Sequence, residues 1–192
     1  VGKAGALSVL FQSPFTLHDM VMKAIERETF NAVSGKKAAI IAKMNSLVEN
    51  QVIRALYRAS QAGVKITLII RGACALRPQS PGISDNITVK SVVGRFLEHH
   101  RVFYFYDSGN EDVFISSADW MKRNFFKRVE TCIPILNPKI KQRVIDESLT
   151  LYIQDNVNSW QMDSEGNYTQ APLVGKAVSA QDFLMNKLGL PV

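Results

Sequence analysis

Residues 37–70 read KAAIIAKMNSLVENQVIRALYRASQAGVKITLII, and their periodicity changes twice. KAAIIAKM (37–44) is an apolar run of strand length. Val48, Val52, Leu56 and Ala59 then recur at helical spacing and form one apolar stripe, which Gly63 ends. VKITLII (64–70) is rich in β-branched residues, which pack well on a pleated surface, and reads as a strand. Strand, helix and strand in that order predict parallel pairing through a right-handed crossover.

Toward the N-terminus, ALSVLFQ (6–12) reads as another strand, stopped by Ser13-Pro14. A helix follows, with Thr16 as its cap, Asp19 three residues on, and Leu17, Met20, Val21, Ala24 and Ile25 on one face. Ser34-Gly35 closes it. The first 70 residues thus alternate β-α-β-α-β. Toward the C-terminus, 77–86 is a loop by its Pro, Gly, Ser and Asn content. Strands are predicted at 87–93, 101–106, 112–117 and 129–136, with DSGNE (107–111) as a hairpin turn. Asn137-Pro138 opens a helix carrying Ile140, Val144, Ile145, Leu149 and Tyr152 on one face. Residues 155–175 read as polar and turn-rich, and 179–188 as a short last helix. The fold class is α/β: a mixed β-sheet flanked by helices over 1–155, with 156–192 as a polar tail.

Of 192 residues, 46% are hydrophobic, enough for a sizeable core. Lys and Arg outnumber Asp and Glu by 23 to 17, a mild excess that favours an anionic partner without choosing one. Cys74 and Cys132 stand in apolar surroundings with no ligand-spaced neighbour, which predicts two buried free thiols and a reducing cytoplasm. No apolar run approaches the roughly 18 residues of a membrane span, and no signal peptide pattern opens the chain. The chain starts without Met, and excision from a longer protein is expected.

Chemistry concentrates in residues 95–124, RFLEHHRVFYFYDSGNEDVFISSADWMKRN. A hairpin brings His99 and Arg101, at the start of its first strand, beside Ser116, Ser117 and Asp119 at the end of its second. Imidazole serves as nucleophile or general acid at neutral pH, and guanidinium grips phosphate oxygens in pairs. His99 and His100 are adjacent, so strand geometry turns them to opposite faces. Arg71 follows the strand VKITLII, Lys43 ends KAAIIAKM, and Arg128 opens 129–136. Three strand-end cations at the carboxyl side of an α/β sheet predict a phosphate pocket. The blander reading is solvated arginines, a structural histidine, and an aromatic cluster at 120–126 that belongs to the core. No Walker-type GxxxxGK[ST], HExxH, CxxC or GxSxG motif is present.

IIRGACAL, PGISDNI, VGRFLEHHRVFYF, ISSADWMKRN and KRVETCIPIL resemble, in that order, the last domain of bacterial polyphosphate kinases. The resemblance covers about residues 6–153. It implies a phospholipase D-like half that faces a partner half across the active site. It implies reversible transfer of the terminal phosphate of ATP to inorganic polyphosphate, with ATP and ADP as substrates. The phosphorylated histidine would lie in the other half, and Mg2+ would be held mainly by phosphates and that missing domain. His99 matches the family's second essential histidine, Arg71 its nucleotide-binding arginine and Arg128 a phosphate-facing arginine. Lys43 and Arg101 are added as phosphate-binding candidates from their strand-end positions. Partners implied are the remainder of the kinase chain and further copies of it, without nucleic acid, in the cytoplasm or at the inner membrane's surface. Departures from the phospholipase D signature are Arg101 in place of a lysine, Tyr106 in place of an aspartate, and Ser117-Ala118-Asp119 at its close. The alternatives are a noncatalytic module that binds polyphosphate or nucleic acid, and a phosphodiesterase completed by dimerisation.

Overall fold

A computed structural model describes residues 9–189. The first part of the chain forms β1 (Phe11–Gln12), α1 (Leu17–Val33), β2 (Ala39–Met44), α2 (Asn50–Gln61), β3 (Lys65–Ile70) and β4 (Ile87–Val92). There follow β5 (Arg101–Phe105), β6 (Asp112–Ser116), α3 (Lys122–Phe126), β7 (Thr131–Pro134) and α4 (Pro138–Ile145). A wide turn at Asp146–Thr150 leads into α5 (Leu151–Gln154), then β8 (Ser159–Met162), β9 (Tyr168–Gln170) and α6 (Ala180–Leu188). The strands make one sheet in the order β1-β7-β6-β5-β2-β3-β4-β8-β9.

β2 and β3 pair in parallel, as the 37–70 pattern predicts, and β4 extends the parallel run. Period-two alternation splits each strand between the two faces. Ile40, Ala42 and Met44 of β2 and Phe103 and Phe105 of β5 are buried in a core shared with α1 and α2. Phe103 and Phe105 are wholly inaccessible, each contributing roughly 1.5–3 kcal/mol by burial. On the other face Val102, Tyr104, Val113 and Leu149 form a second cluster, against which Ile41, Val144 and Ile145 pack. Lys43 lies on this second face by its position two residues after Ile41.

Three expectations need correction. The strand predicted at 6–12 is paired only at Phe11–Gln12, and residues 6–8 fall outside the described residues. It does not lead the parallel run. β5 fills the edge of β2 in antiparallel register, Lys43 opposite Val102, so β1 pairs with β7 at the far edge instead. Thr16 does not cap α1 through its side chain; its hydroxyl accepts from the Gln12 N–H. Residues 155–175 are more than turns. β8 and β9 form a hairpin whose turn is bound by Asp163, which accepts from the Glu165 and Asn167 amides, and Gly166 takes φ 88° there. β8 joins β4, so the sheet continues past residue 155. Asn137 caps α4 as predicted, accepting from the Lys139 and Ile140 amides. Cys74 and Cys132 are free thiols. Among the described residues no helix is long and apolar enough to cross a membrane.

Candidate functional site

Antiparallel pairing gathers the polar residues at one end of the sheet. Lys43 lies opposite Val102, Arg101 opposite Ser116, and Ser116 opposite Cys132. The carboxyl ends of β2, β3 and β6 therefore meet the starts of β5 and β7. The segments 43–46, 98–101, 116–119 and 128–131 become neighbours although up to 88 positions separate them in sequence.

Arg101 is 9% exposed and grips Asp119 in a fork: Nε donates to Oδ1 and Nη2 to Oδ2, both at 3.1 Å. Asp119 Oδ1 also accepts from the Asn45 and Ser46 amides. Burial raises the Asp119 carboxyl, but the Arg101 guanidinium and those amides outweigh it and hold it below the usual value. The remaining Arg101 nitrogen, Nη1, donates to the His99 carbonyl at 2.7 Å and lies 3.2 Å from His99 Nδ1. Arg101 thus positions His99.

Lys43, 3% exposed, has a different set of partners. Its Nζ donates to Glu98 Oε2 at 2.8 Å, lies 2.9 Å from His100 Nε2 and sits 3.0 Å from the centre of the Tyr152 ring. Tyr152 Oη and Gln181 Nε2 both donate to Glu98 Oε1. Burial pushes Lys43 down to about 8, opposed by Glu98. Glu98 is raised by its own burial, but Lys43 and the three hydrogen bonds prevail and hold it low. His100 is pushed down to about 4, first by burial and then by Lys43 and Arg101, against the pull of Glu98. Its ring edge reaches solvent at 39% exposure while its nitrogens face inward, with Nδ1 3.4 Å from Glu98 Oε2. A neutral ring with its proton on Nδ1 serves both neighbours.

The adjacent histidines thus have separate partners, Arg101 for His99 and Lys43 for His100. Both border one open cavity of about 740 Å³, with Arg101, Arg128, Ser148 and the β6–β7 ends on its walls. Arg128 is exposed and has no ion pair among the described residues. The two serines are occupied: Ser117 Oγ donates to Glu130, and Ser116 Oγ to the Thr131 carbonyl. Glu130 also accepts from Asn124 Nδ2, which ties α3 to the start of β7 beside Arg128.

Arg71 stands at the same end of the sheet but borders a separate, shallower hollow of about 330 Å³ with Trp160 and Tyr168. Its Nε and Nη2 donate to Asn45 Oδ1 at 3.1 and 2.9 Å, which leaves Nη1 without a hydrogen-bond partner among the described residues. Gly72 is required by the protein itself. Its amide donates to the Asn45 carbonyl at 2.7 Å, and an added Cβ would meet that oxygen at 2.9 Å. Asn45 therefore links the two hollows, with its backbone on Asp119 and its side chain on Arg71. Asn45 and Gln181 escaped the sequence reading, because no local motif marks them; Glu98 and Glu130 stand in the quoted blocks without an assigned role, and Tyr152 reads only as part of an apolar helix face.

No three His, Cys, Asp or Glu side chains among the described residues converge to hold a metal. Glu98, Asp119 and Glu130 are each taken up by protein donors. The residues present do not form a Mg2+ cage.

The family profile described as polyphosphate kinase C-terminal domain 2 matches residues 10–181. A polyphosphate kinase from Neisseria meningitidis serogroup B is 56% identical over 191 residues, which cover 98% of this chain and 28% of that protein. One from Burkholderia cenocepacia is 57% identical over 168 residues, 88% of this chain and 24% of the relative. The chain thus spans 24–28% of these relatives' length. The crystal structure of the polyphosphate kinase from Porphyromonas gingivalis superposes with a TM-score of 0.91 at 40% identity, over 97% of this chain and 29% of that one. Nuc from Salmonella typhimurium, a phospholipase D family member, matches with a TM-score of 0.56 at 17% identity, over 84% of this chain and 97% of its own. That likeness establishes the fold alone.

Proposed function

Because the chain belongs to the polyphosphate kinase C-terminal domain 2 family, we propose that it forms one wall of a phosphoryl-transfer site. The whole protein would move the terminal phosphate of ATP reversibly to polyphosphate. The observation that carries this reading is the division of charge at the sheet end. Lys43 is neutralised behind the cavity and Arg101 is neutralised in its wall, while His99 and Arg128 border it without a carboxylate partner among the described residues. Phosphoryl transfer needs mostly positioning and neutralisation of phosphate charge. Arg128 and the free nitrogen of Arg71 would bind phosphate oxygens, and His99 would hold a phosphate or give its proton to the leaving oxygen. Mg2+ arriving with the nucleotide would neutralise phosphate charge, held by the phosphates and the remainder of the longer protein. A phospholipase D-like hydrolase is less well supported, because Arg101, where that signature has lysine, is consumed by Asp119. The free thiols support a reducing cytoplasm as the site of action.

The test is kinetic, on the full-length protein. Arg71→Ala and Arg128→Ala should each raise the KM for ATP roughly 10–150-fold, the equivalent of the ~1.5–3 kcal/mol of a lost charged hydrogen bond. For exposed Arg128→Ala stability should change by no more than about 0.5 kcal/mol in urea unfolding; half-buried Arg71→Ala also loses its bonds to Asn45 and should cost about 0.5–1.5 kcal/mol. Unchanged ATP kinetics in both variants would leave them as ordinary surface arginines and overturn the reading. A loss that only tracks salt would instead favour a polyanion-binding module.

A further inference from the structure

The segment that delivers His99 is weakly held. Residues 94–98, Gly-Arg-Phe-Leu-Glu, bridge β4 and β5 without secondary structure. Phe96 and Leu97 are 50% and 74% exposed, so packing does little to fix them. Among the described residues no backbone–backbone hydrogen bond reaches residues 94–98. Their backbone ties come from one side chain. Gln181 Oε1 accepts from the Phe96 N–H at 2.8 Å, and Gln181 Nε2 donates to the Phe96 carbonyl at 2.9 Å. The same Nε2 donates to Glu98 Oε1 at 2.8 Å, one residue before His99. Gln181 is 4% exposed, and its amide fills the space above Gly94, where an added Cβ would meet Oε1 at 2.5 Å.

We infer that Gln181 is a positioning residue for His99: it mimics a strand partner for Phe96 and locks Glu98, and so sets the imidazole's place at the cavity. This rests on the reading that His99 acts in phosphoryl transfer. The clamp comes from α6, whose start is anchored without help from the Gln181 side chain. Asp155 Oδ2 accepts from the Ala180 amide, Asn158 Nδ2 donates to Ser179 Oγ, and Ala180 is buried against Ile69, Val92, Leu151 and Tyr152. Removing the amide should therefore free residues 94–97, and leave Glu98 to Lys43 and Tyr152 alone, while α6 stays docked. Misplacement of a reacting group by about 1 Å costs on the order of 10²-fold in rate.

The experiment is a double-mutant cycle in the full-length protein, scored by ATP-dependent polyphosphate synthesis. Gln181→Met keeps the volume and loses all three hydrogen bonds. It should lower kcat roughly 10–100-fold with the KM for ATP within about threefold, since the arginines that bind phosphate are not moved. Gln181→Glu keeps the acceptor for Phe96 but turns a carboxylate on the Phe96 carbonyl and Glu98, and should not rescue. In a His99→Ala background, Gln181→Met should have no further effect, because the group it positions is gone. Gly94→Ala attacks the same clamp from the loop side, should reproduce the kcat loss, and serves if Gln181→Met does not fold. An equal loss with and without His99 would reduce Gln181 to a structural residue and overturn the inference. Wild-type kcat in Gln181→Met or Gly94→Ala, beside an impaired His99→Ala, would do the same. A fully active His99→Ala would instead remove the reading on which the inference stands.

Discussion

Lys43 and Arg101 lie on adjoining strands at the same end of the sheet as Arg71 and Arg128, yet the two pairs live in different surroundings. Lys43 and Arg101 are 3% and 9% exposed, and each is bound to a carboxylate, Glu98 or Asp119. Among the described residues, Arg128 faces the open cavity without a partner, and Arg71 keeps one nitrogen unbonded beside Asn45. A buried charge must be paired, and pairing removes its capacity to bind an incoming phosphate. The buried cations hold the loops that carry His99 and His100, while exposed Arg128 and one nitrogen of half-buried Arg71 are left to a ligand. Position at a strand end identifies all four as candidates; burial sorts them into two kinds.

That contrast is most exposed to failure at Asp119. Asp119→Ala leaves the Arg101 guanidinium buried without its fork partner and strips an acceptor from the Asn45 and Ser46 amides. The expected cost is about 3–5 kcal/mol of stability, against no more than about 0.5 for truncating exposed Arg128. Urea unfolding of both variants measures the gap. Equal, small losses would show that Arg101 is not held as described.

A smaller effect concerns His100 and pH. The folded His100 ring is pushed down to about 4 by burial, with Lys43 and Arg101 adding and Glu98 opposing, from an ordinary value of 6.5. The unfolded chain therefore takes up the proton first as pH falls. His100's contribution is present in full above about 6.5 and is lost as pH drops toward about 4. Its ring edge is open to solvent, which screens the effect and keeps it modest. Between pH 7.5 and pH 5 the protein should lose more stability than its His100→Asn variant. Parallel losses in chemical denaturation at the two pH values would contradict the inward-facing, neutral ring.

The parallel β2-β3 pair and the β5–β6 hairpin were legible because their periodicity is local and strong. The hairpin alone placed His99, Arg101, Ser116 and Asp119 together, since antiparallel strands of equal length return to their starting point. The β8–β9 hairpin was not legible: its strands are four and three residues long and mostly polar. The partners of the buried cations were not legible either. Lys43 meets Glu98 across 55 positions and Gln181 meets Glu98 across 83, and no spacing rule links such residues. Ser116 and Ser117 looked like site hydroxyls by proximity, but the β6–β7 pairing takes both.

The central claim is that His99, held by Arg101, meets the transferred phosphate, while His100, held by Lys43 and Glu98, does not. Rates of ATP-dependent polyphosphate synthesis by full-length His99→Ala and His100→Ala test it most directly, with folding checked by circular dichroism. Loss of a positioned general acid or base should lower the rate of His99→Ala roughly 10²–10⁴-fold. His100→Ala should stay within a few-fold of wild type, because Lys43 keeps its bond to Glu98. A severe loss in His100→Ala beside an active His99→Ala would reverse the two roles, and near-normal rates in both would remove histidine chemistry from this domain.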